Sequence, residues 1–421
     1  MKLLLCVLDG LSDRPCPQLN EKTPLEAAKT PNMDKLAKKS LLGKRKVLDI
    51  APESDSAVMV MLGYDVKEIP RRGALEALGA NRPFKSGYDI AFRCNFATSD
   101  KKGEKIVDRR CGRNLTEKEA KSLEREINEN IKPLESKYGL KIIFKATTEH
   151  RGVLLIKSKK KGKFSKMVGG TDPAYITGPS GIPEAIEKPK MVYKKPKAIE
   201  NTKEAKFTAK ILDEITKEIH KILEKSKINQ KRRKDGKLPA NFLLSRDPEV
   251  ELPKIETMKE RWGKRWIVLA DMPLEIGIGR LVGMDYKKLP KPREGAEAYR
   301  IRARMVSDVI KKYDCVYVHL KGPDVFGHDG DAIGKMKNIE EIDRYFFGNL
   351  NLEGVMLVIT ADHTTPCTIK AHSSDPVPVL IYNSGKIDGA DKFDEKNCEK
   401  RKINKKIDGI KFMEFIMKLS K

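Results

Sequence analysis

A chain of 421 residues is too long for one ordinary core, so two domains are expected, and a hydrophobic share of 39% fits a folded chain. A formal charge of +25 admits a nucleic-acid binder, an anionic substrate or an adaptation to hot or salty cytoplasm. Charged residues at 34%, abundant Lys and only two Gln (Gln18 and Gln230) make a hyperthermophile-like profile; the basic residues are scattered, without an aromatic-rich RNA motif or zinc-finger spacing, which weighs against nucleic acid.

Leu3 to Leu8 reads as a buried strand ending at Asp9-Gly10. Met1-Lys2 and this run imitate a signal peptide, but Asp9 interrupts it early and no small-residue cleavage site follows. Thr23-Pro24 and Thr30-Pro31 each place a capping residue before a proline, so two short helices are expected. Ala57 to Leu62 reads as an apolar helix after Ser54-Asp55-Ser56, ended by Gly63.

The character changes near residue 84. Short β-like runs (Ile90 to Ala97, Lys141 to Lys145, Gly152 to Ile156) alternate with basic helices at about Glu117 to Asn130 and Thr202 to Lys225. Phe207, Ile211, Ile215, Ile219 and Ile222 form one helical stripe, read as core packing. Lys157 to Lys163 reads as a basic hairpin tip and residues 231–238 as a solvated loop. After about residue 265 the first pattern returns: Ile267 to Ala270 a strand, Tyr299 to Lys312 a helix, then strands at Asp314 to Leu320, Val355 to Ala361 and Pro378 to Tyr382. The expected organisation is an α/β domain (1–83 and 265–421) interrupted by an inserted α+β domain (84–264).

Seven dispersed cysteines, odd in number and without a Cys-x-x-Cys pair, argue for a reducing compartment and against a zinc ribbon. No apolar stretch approaches the roughly 20 residues that span a bilayer. The expectation is a cytoplasmic protein acting on a small molecule, with no membrane or nucleic-acid partner and an open oligomeric state.

Three predicted strands end in metal-type ligands, where open α/β sheets place their sites. Asp324 and His328 are four residues apart and would share one face of a helical turn; the bland alternative is a Gly/Pro surface turn. Asp362-His363 follows a buried run, where a carboxylate is costly unless paired or metal-bound. His372 follows nine residues later, and Asp9 either supplies a further oxygen ligand or forms a turn. Mixed carboxylate and imidazole ligands suit Mn²⁺, Zn²⁺ or Co²⁺. With Ser54 the set has seven members and implies two ions, an arrangement typical of phosphoryl transfer. Ser54 on local sequence alone is a helix N-cap; its functional reading is a nucleophile.

The ordered motifs Leu8-Asp9-Gly10, Ser54-Asp55-Ser56-Ala57, Leu62-Gly63-Tyr64-Asp65, Arg72 to Ala77, Lys321-Gly322-Pro323-Asp324 to Gly330, Asp362-His363 and His372 to Pro378 resemble the archaeal cofactor-independent phosphoglycerate mutases, in the alkaline phosphatase superfamily. Segments Arg93 to Thr98, Asp108 to Arg113, His150 to Val153 and Gly170 to Pro173 also look like that family. The resemblance implies an alkaline-phosphatase-like sheet sandwiched by helices. It implies one ion on Asp324, His328 and His372 and another on Asp9, Ser54, Asp362 and His363, with Mn²⁺ favoured over Mg²⁺, Co²⁺ or Zn²⁺. Ser54 would carry the phosphoryl group between 3-phosphoglycerate and 2-phosphoglycerate, with no 2,3-bisphosphoglycerate. Arg109, Arg110, Arg113, Arg151 and Arg246 would grip substrate oxyanions, each with solvated surface charge as its alternative. His150 would be an acid/base or phosphate contact, or a structural residue.

The chain departs from that pattern at Val58, where the family often carries His, at Asp247-Pro248 after Arg246, where it tends to show Gly, and at Ile276, where it usually has Lys. These departures bear on substrate affinity and on the ratio of mutase to phosphatase activity. A metal-dependent phosphatase, or a mutase of another phosphorylated small molecule, is the alternative enzyme; a basic binding protein is the non-catalytic one.

Overall fold

The computed structural model describes residues 1–178, 183–186, 188–292 and 294–420. The chain divides into two compact units, Met1–Ile69 with Ile255–Lys421, and Pro70–Lys254. Both crossings fall earlier in the chain than 83/84 and 264/265. The helix Arg72–Gly79 goes with the second unit because Gly73 lies flat on its strands, where a Cβ would run into the backbone of Ala91 and Asp247. The helix Met258–Trp262 goes with the first unit, tied by Met258 N–H to Val282 O at 2.8 Å.

In chain order the strands are β1 (Lys2–Leu8) and β2 (Ser40–Arg45); then, in the second unit, β3 (Asp89–Ser99), β4 (Ile106–Asp108), β5 (Leu140–Ala146), β6 (Arg151–Ser158), β7 (Tyr175–Thr177), β8 (Pro183–Ala185) and β9 (Phe242–Glu249); then β10 (Trp266–Ala270), β11 (Asp285–Lys288), β12 (Cys315–Leu320), β13 (Val355–Thr360) and β14 (Val377–Tyr382).

The first unit is built on a seven-stranded sheet in the order β11-β10-β12-β1-β13-β14-β2. The five strands from β11 to β13 are parallel, while β14 runs antiparallel to both neighbours. β1, β12 and β13 are buried from Leu3, Cys315 and Val355 to their ends, as expected of parallel strands covered on both faces. Val7 pairs with His319 on one side and Thr360 on the other, so all three central strands end at the same edge. Edge strand β2 is capped: the backbone N–H groups of Leu42, Lys44 and Lys46 donate to the side chains of Asp388, Asn404 and Asp408.

In the second unit β3 lies between β6 and β9, with β4 on β3 and β5 on β6, all antiparallel. The helix Glu117–Asn130 starts in a Thr116/Glu119 capping box. The helix Lys203–Lys225 buries Ile211, Ile215 and Ile219 completely, so its stripe is core. Residues 231–238 depart from expectation: Lys227–Lys234 is a helix, and Arg232 is buried with its guanidinium on Glu119 at 3.1 Å and on Leu238 O at 2.9 Å. Lys157 to Lys163 is the end of β6 and a turn, not a hairpin tip. No helix among the described residues is long and apolar enough to cross a membrane.

Candidate active site at the edge of the parallel sheet

The C-terminal ends of β1, β12 and β13 deliver Asp9, Asp324 and Asp362-His363 to one place. Asp324 and His328 lie one turn apart in the helix Gly322–Asp329, with Oδ1 and Nε2 separated by 3.4 Å. Ser54 is the first residue of the helix Ser54–Met61, one position past the N-cap, Glu53. It is therefore not the cap: its Oγ lies 3.3 Å from His363 Nε2. That Nε2 also faces Asp9 Oδ1 at 3.5 Å and Asp362 Oδ2 at 3.3 Å. The His363 ring stacks on His372 with centroids 3.6 Å apart, and His372 Nε2 lies 3.6 Å from Asp324 Oδ1 and 3.2 Å from His328 Nε2. All seven residues singled out in the sequence thus converge.

Hydrogen bonding leaves several inward atoms of this cluster unsatisfied. His372 Nδ1 donates to Pro52 O at 2.8 Å and His328 Nδ1 to Lys370 O at 3.1 Å. Carbonyls only accept, so in the neutral rings both Nε2 atoms carry lone pairs, and these face each other. Asp362 Oδ1 accepts from Gly10 N and His363 N, while Asp362 Oδ2 and Asp9 Oδ1 are buried without a hydrogen bond. Orphaned acceptors converging on bare imidazole nitrogens are the donor set a divalent cation satisfies, so the residues present fit two ions. The candidate groups are Asp324/His328/His372, Asp9/Asp324/His363 and Asp9/His319/Asp362, so Asp324 stands between the first group and the Asp9 side.

The charges agree. Burial, then the neighbouring His372, pushes His363 down to about 3, leaving a neutral ligand. Burial would raise Asp324, but Lys321 together with His372, His363 and His328 outweighs it and holds the carboxyl well below its ordinary value. Burial, then Asp9, raises Asp362 to about 6. Sequence reading passed over several neighbours. Lys321 Nζ bridges Asp9 Oδ2 at 2.5 Å and Asp324 Oδ2 at 2.9 Å. His319 Nε2 donates to Asp9 Oδ2 at 2.9 Å, with Tyr317 OH at its other nitrogen. Glu275 stands 3.9 Å behind His319. Lys321 and His319 were visible within the β12 motif; Glu275 gave no signal, being an acid inside an apolar helix.

The arginines lie in the second unit. Arg109 grips Asp172 in bidentate fashion, both bonds 2.7 Å, and Arg246 Nη1 reaches the same carboxylate at 3.0 Å. Arg246 also stacks over Tyr175 at 4.2 Å. Arg151 pairs with Glu149 at 2.9 Å, and exposed Arg113 also has an interaction partner. Arg110 has no acidic partner among the described residues; burial, then Arg113, Arg109 and Arg151, depress its pKa. His150 is buried, its Nδ1 unbonded, and burial followed by Arg151 lowers it to about 3. Arg93 pairs with buried Glu76 at 3.1 Å.

Fold and cluster together define an α/β enzyme built to work with divalent ions. Residues 37–229 match the family described as 2,3-bisphosphoglycerate-independent phosphoglycerate mutase. A protein of that name from Aeropyrum pernix is 37% identical, covering 98% of each chain, and one from Thermococcus gammatolerans is 39% identical, covering 94% of this chain and 92% of the other. Among solved structures, a Pyrococcus horikoshii protein superposes with a TM-score of 0.75 at 30% identity, covering 100% of this chain and 97% of the other. The cofactor-independent phosphoglycerate mutase of Thermoplasma acidophilum gives 0.64 at 28% identity, covering 100% of both. The chain belongs to the family of 2,3-bisphosphoglycerate-independent phosphoglycerate mutases.

Proposed function

We propose that this chain interconverts 3-phosphoglycerate and 2-phosphoglycerate through a phosphoserine at Ser54, without 2,3-bisphosphoglycerate. The observation that carries the reading is the convergence of Ser54 Oγ and His363 Nε2 with two orphaned carboxylate oxygens, in a chain whose relatives bear that name. Asp324, His328 and His372 would hold one divalent ion, and Asp9, Asp362, His363 and Ser54 the other; the mixed oxygen and imidazole set supports Mn²⁺. Bound there, the ions would lower the pKa of the serine hydroxyl and offset charge on the transferring phosphoryl group.

Ser54 Oγ attacks phosphorus at the positive end of its helix, which favours the charge it acquires. The ester oxygen leaves and takes a proton. The glycerate's other hydroxyl then attacks the phosphoserine, gives up a proton and restores Ser54. Among these arginines Arg110 is the one without an acidic partner among the described residues, which leaves its charge available to a substrate oxyanion; Arg109 and Arg246 build the same surface through Asp172. A His150 held to about 3 is a poor base at neutral pH, so its role is a hydrogen bond to a substrate oxygen.

The test is conversion of 3-phosphoglycerate in Mn²⁺, without 2,3-bisphosphoglycerate, while free phosphate is followed. Isomerisation without phosphate release is expected. Phosphate release alone would replace the mutase with a phosphatase, and restoration of apo-enzyme by Zn²⁺ or Co²⁺ but not Mn²⁺ would change the ion.

A further inference from the structure

Thr365 is not one of the proposed ion ligands, yet all of its polar groups are bonded, its hydroxyl within the cluster, and the residue is completely buried. Its N–H donates to Ser12 O at 3.3 Å and its carbonyl accepts from Lys335 Nζ at 2.9 Å. Lys335 is itself buried, with its charge met by Asp13 at 2.7 Å. The Thr365 Oγ1 lies 2.9 Å from Asp324 Oδ1 and 3.0 Å from His363 Nδ1. Two glycines make room for it: a Cβ on Gly10, which has φ +60°, would sit 2.6 Å from Thr365 Oγ1, and one on Gly327 would sit 2.5 Å from Thr365 O.

A hydroxyl has one proton to give. The Asp324 carboxylate only accepts, so Thr365 donates to Asp324 and accepts from the Nδ1–H of His363. That arrangement selects the tautomer with a bare Nε2, the nitrogen facing Asp9, Asp362 and Ser54. One side chain therefore touches a ligand from each half of the cluster, Asp324 from one and His363 from the other.

We propose that Thr365 is a positioning residue that couples the two ion sites, so that filling the Asp324/His328/His372 half raises the affinity of the Asp9/Asp362/His363 half. The inference rests on the two-ion reading above. An ion on Asp324 orders the Thr365 hydroxyl and, through it, the His363 ring, and the second ion then meets a ligand already turned toward it.

Calorimetric titration of the metal-free full-length chain with Mn²⁺ tests this without reference to turnover. Thr365→Val keeps the shape and both backbone bonds and removes only the bridge. It is expected to weaken the second half about 10–100-fold, whereas Thr365→Ser keeps wild-type binding. His328→Ala, which disables the first half, should lower the affinity of the second half in the wild type but not in the Thr365→Val background. Thr365→Ala repeats the comparison if Thr365→Val does not fold, as judged by circular dichroism. Equal affinities in wild type and bridge-less variant would overturn the coupling and leave the two-ion reading standing. A wild type that binds fewer than two ions would overturn both.

Discussion

The molecule carries two charged clusters, one in each unit, and they are built on opposite principles. In the first unit every ligand is turned inward by a partner on its far side: His363 by Thr365, His372 by Pro52 O, His328 by Lys370 O, and Asp362 by two backbone N–H groups. Acceptors are left over at the centre, where a cation would sit. In the second unit Arg109, Arg246 and Arg151 are neutralised by the protein's own acids, Asp172 and Glu149, while Arg110 has no acidic partner among the described residues. A ligand cage is recognised by what its members leave unsatisfied. An anion surface is recognised by which cation its neighbours fail to satisfy, and most of its arginines are scaffolding.

The sharpest break of that comparison is Ser54→Ala. It should lower turnover by more than about 10⁴-fold, because loss of a nucleophile removes the covalent route entirely. Thermal stability should stay near wild type, since Ser54 is not the N-cap of its helix, and both ions should still bind, the second more weakly for the loss of one of its four proposed ligands. Steady-state rates and metal analysis on the same preparation decide it; substantial activity would remove Ser54 as the nucleophile. Next in size, Asp324→Ala should reduce bound metal from two ions to one per chain. Unchanged stoichiometry would detach Asp324 from the cage.

The same contrast explains what the sequence shows and what it hides. The ligands at β1, β12 and β13 are legible because each ends a run of buried apolar residues, and parallel strands bring such ends together. The central fold follows from the same runs, while β2, β9 and β11 escape notice. β11 is exposed at every position and so has no apolar pattern, and β9 carries Arg246 and Asp247 within the strand. Arg232 misleads for a related reason: a basic stretch reads as solvated, and nothing local shows that Glu119, over a hundred positions away, meets its charge. Partnerships such as Arg109 with Asp172, or Lys321 with Asp9, are long-range and have no period in the sequence.

In the second unit, Arg110 and Arg109 separate binding from scaffolding. Arg110→Ala removes a cation that no acid among the described residues uses, so it should raise KM about 10–100-fold, the worth of a charge-assisted hydrogen bond, and leave the unfolding midpoint unchanged. Arg109→Ala strips a bidentate partner from a carboxylate that is 1% exposed, so it should cost about 1–3 kcal/mol of stability. Denaturation and kinetics on both variants check the pair. Equal effects of the two on KM and stability would erase the distinction between them.

The smallest effect concerns two histidines with the same depressed pKa and different reasons for it. His363 and His150 are both held at about 3 from an ordinary 6.5, chiefly by burial. The next cause differs: His363 is opposed by His372 inside the cage, His150 by the half-buried Arg151. A histidine whose folded pKa is depressed binds fewer protons folded than unfolded. Its contribution is therefore complete above pH 6.5 and is lost as the pH falls toward 3. His150→Gln should remove that dependence, so the stability difference between wild type and variant, measured by denaturant at pH 8 and pH 5, should shift against the wild type at pH 5. Arg151→Met should shrink the shift, because the charge that helps keep His150 neutral is gone, and it should leave metal binding untouched. A wild-type minus His150→Gln difference that is the same at both pH values would mean that His150 is not held neutral by its surroundings.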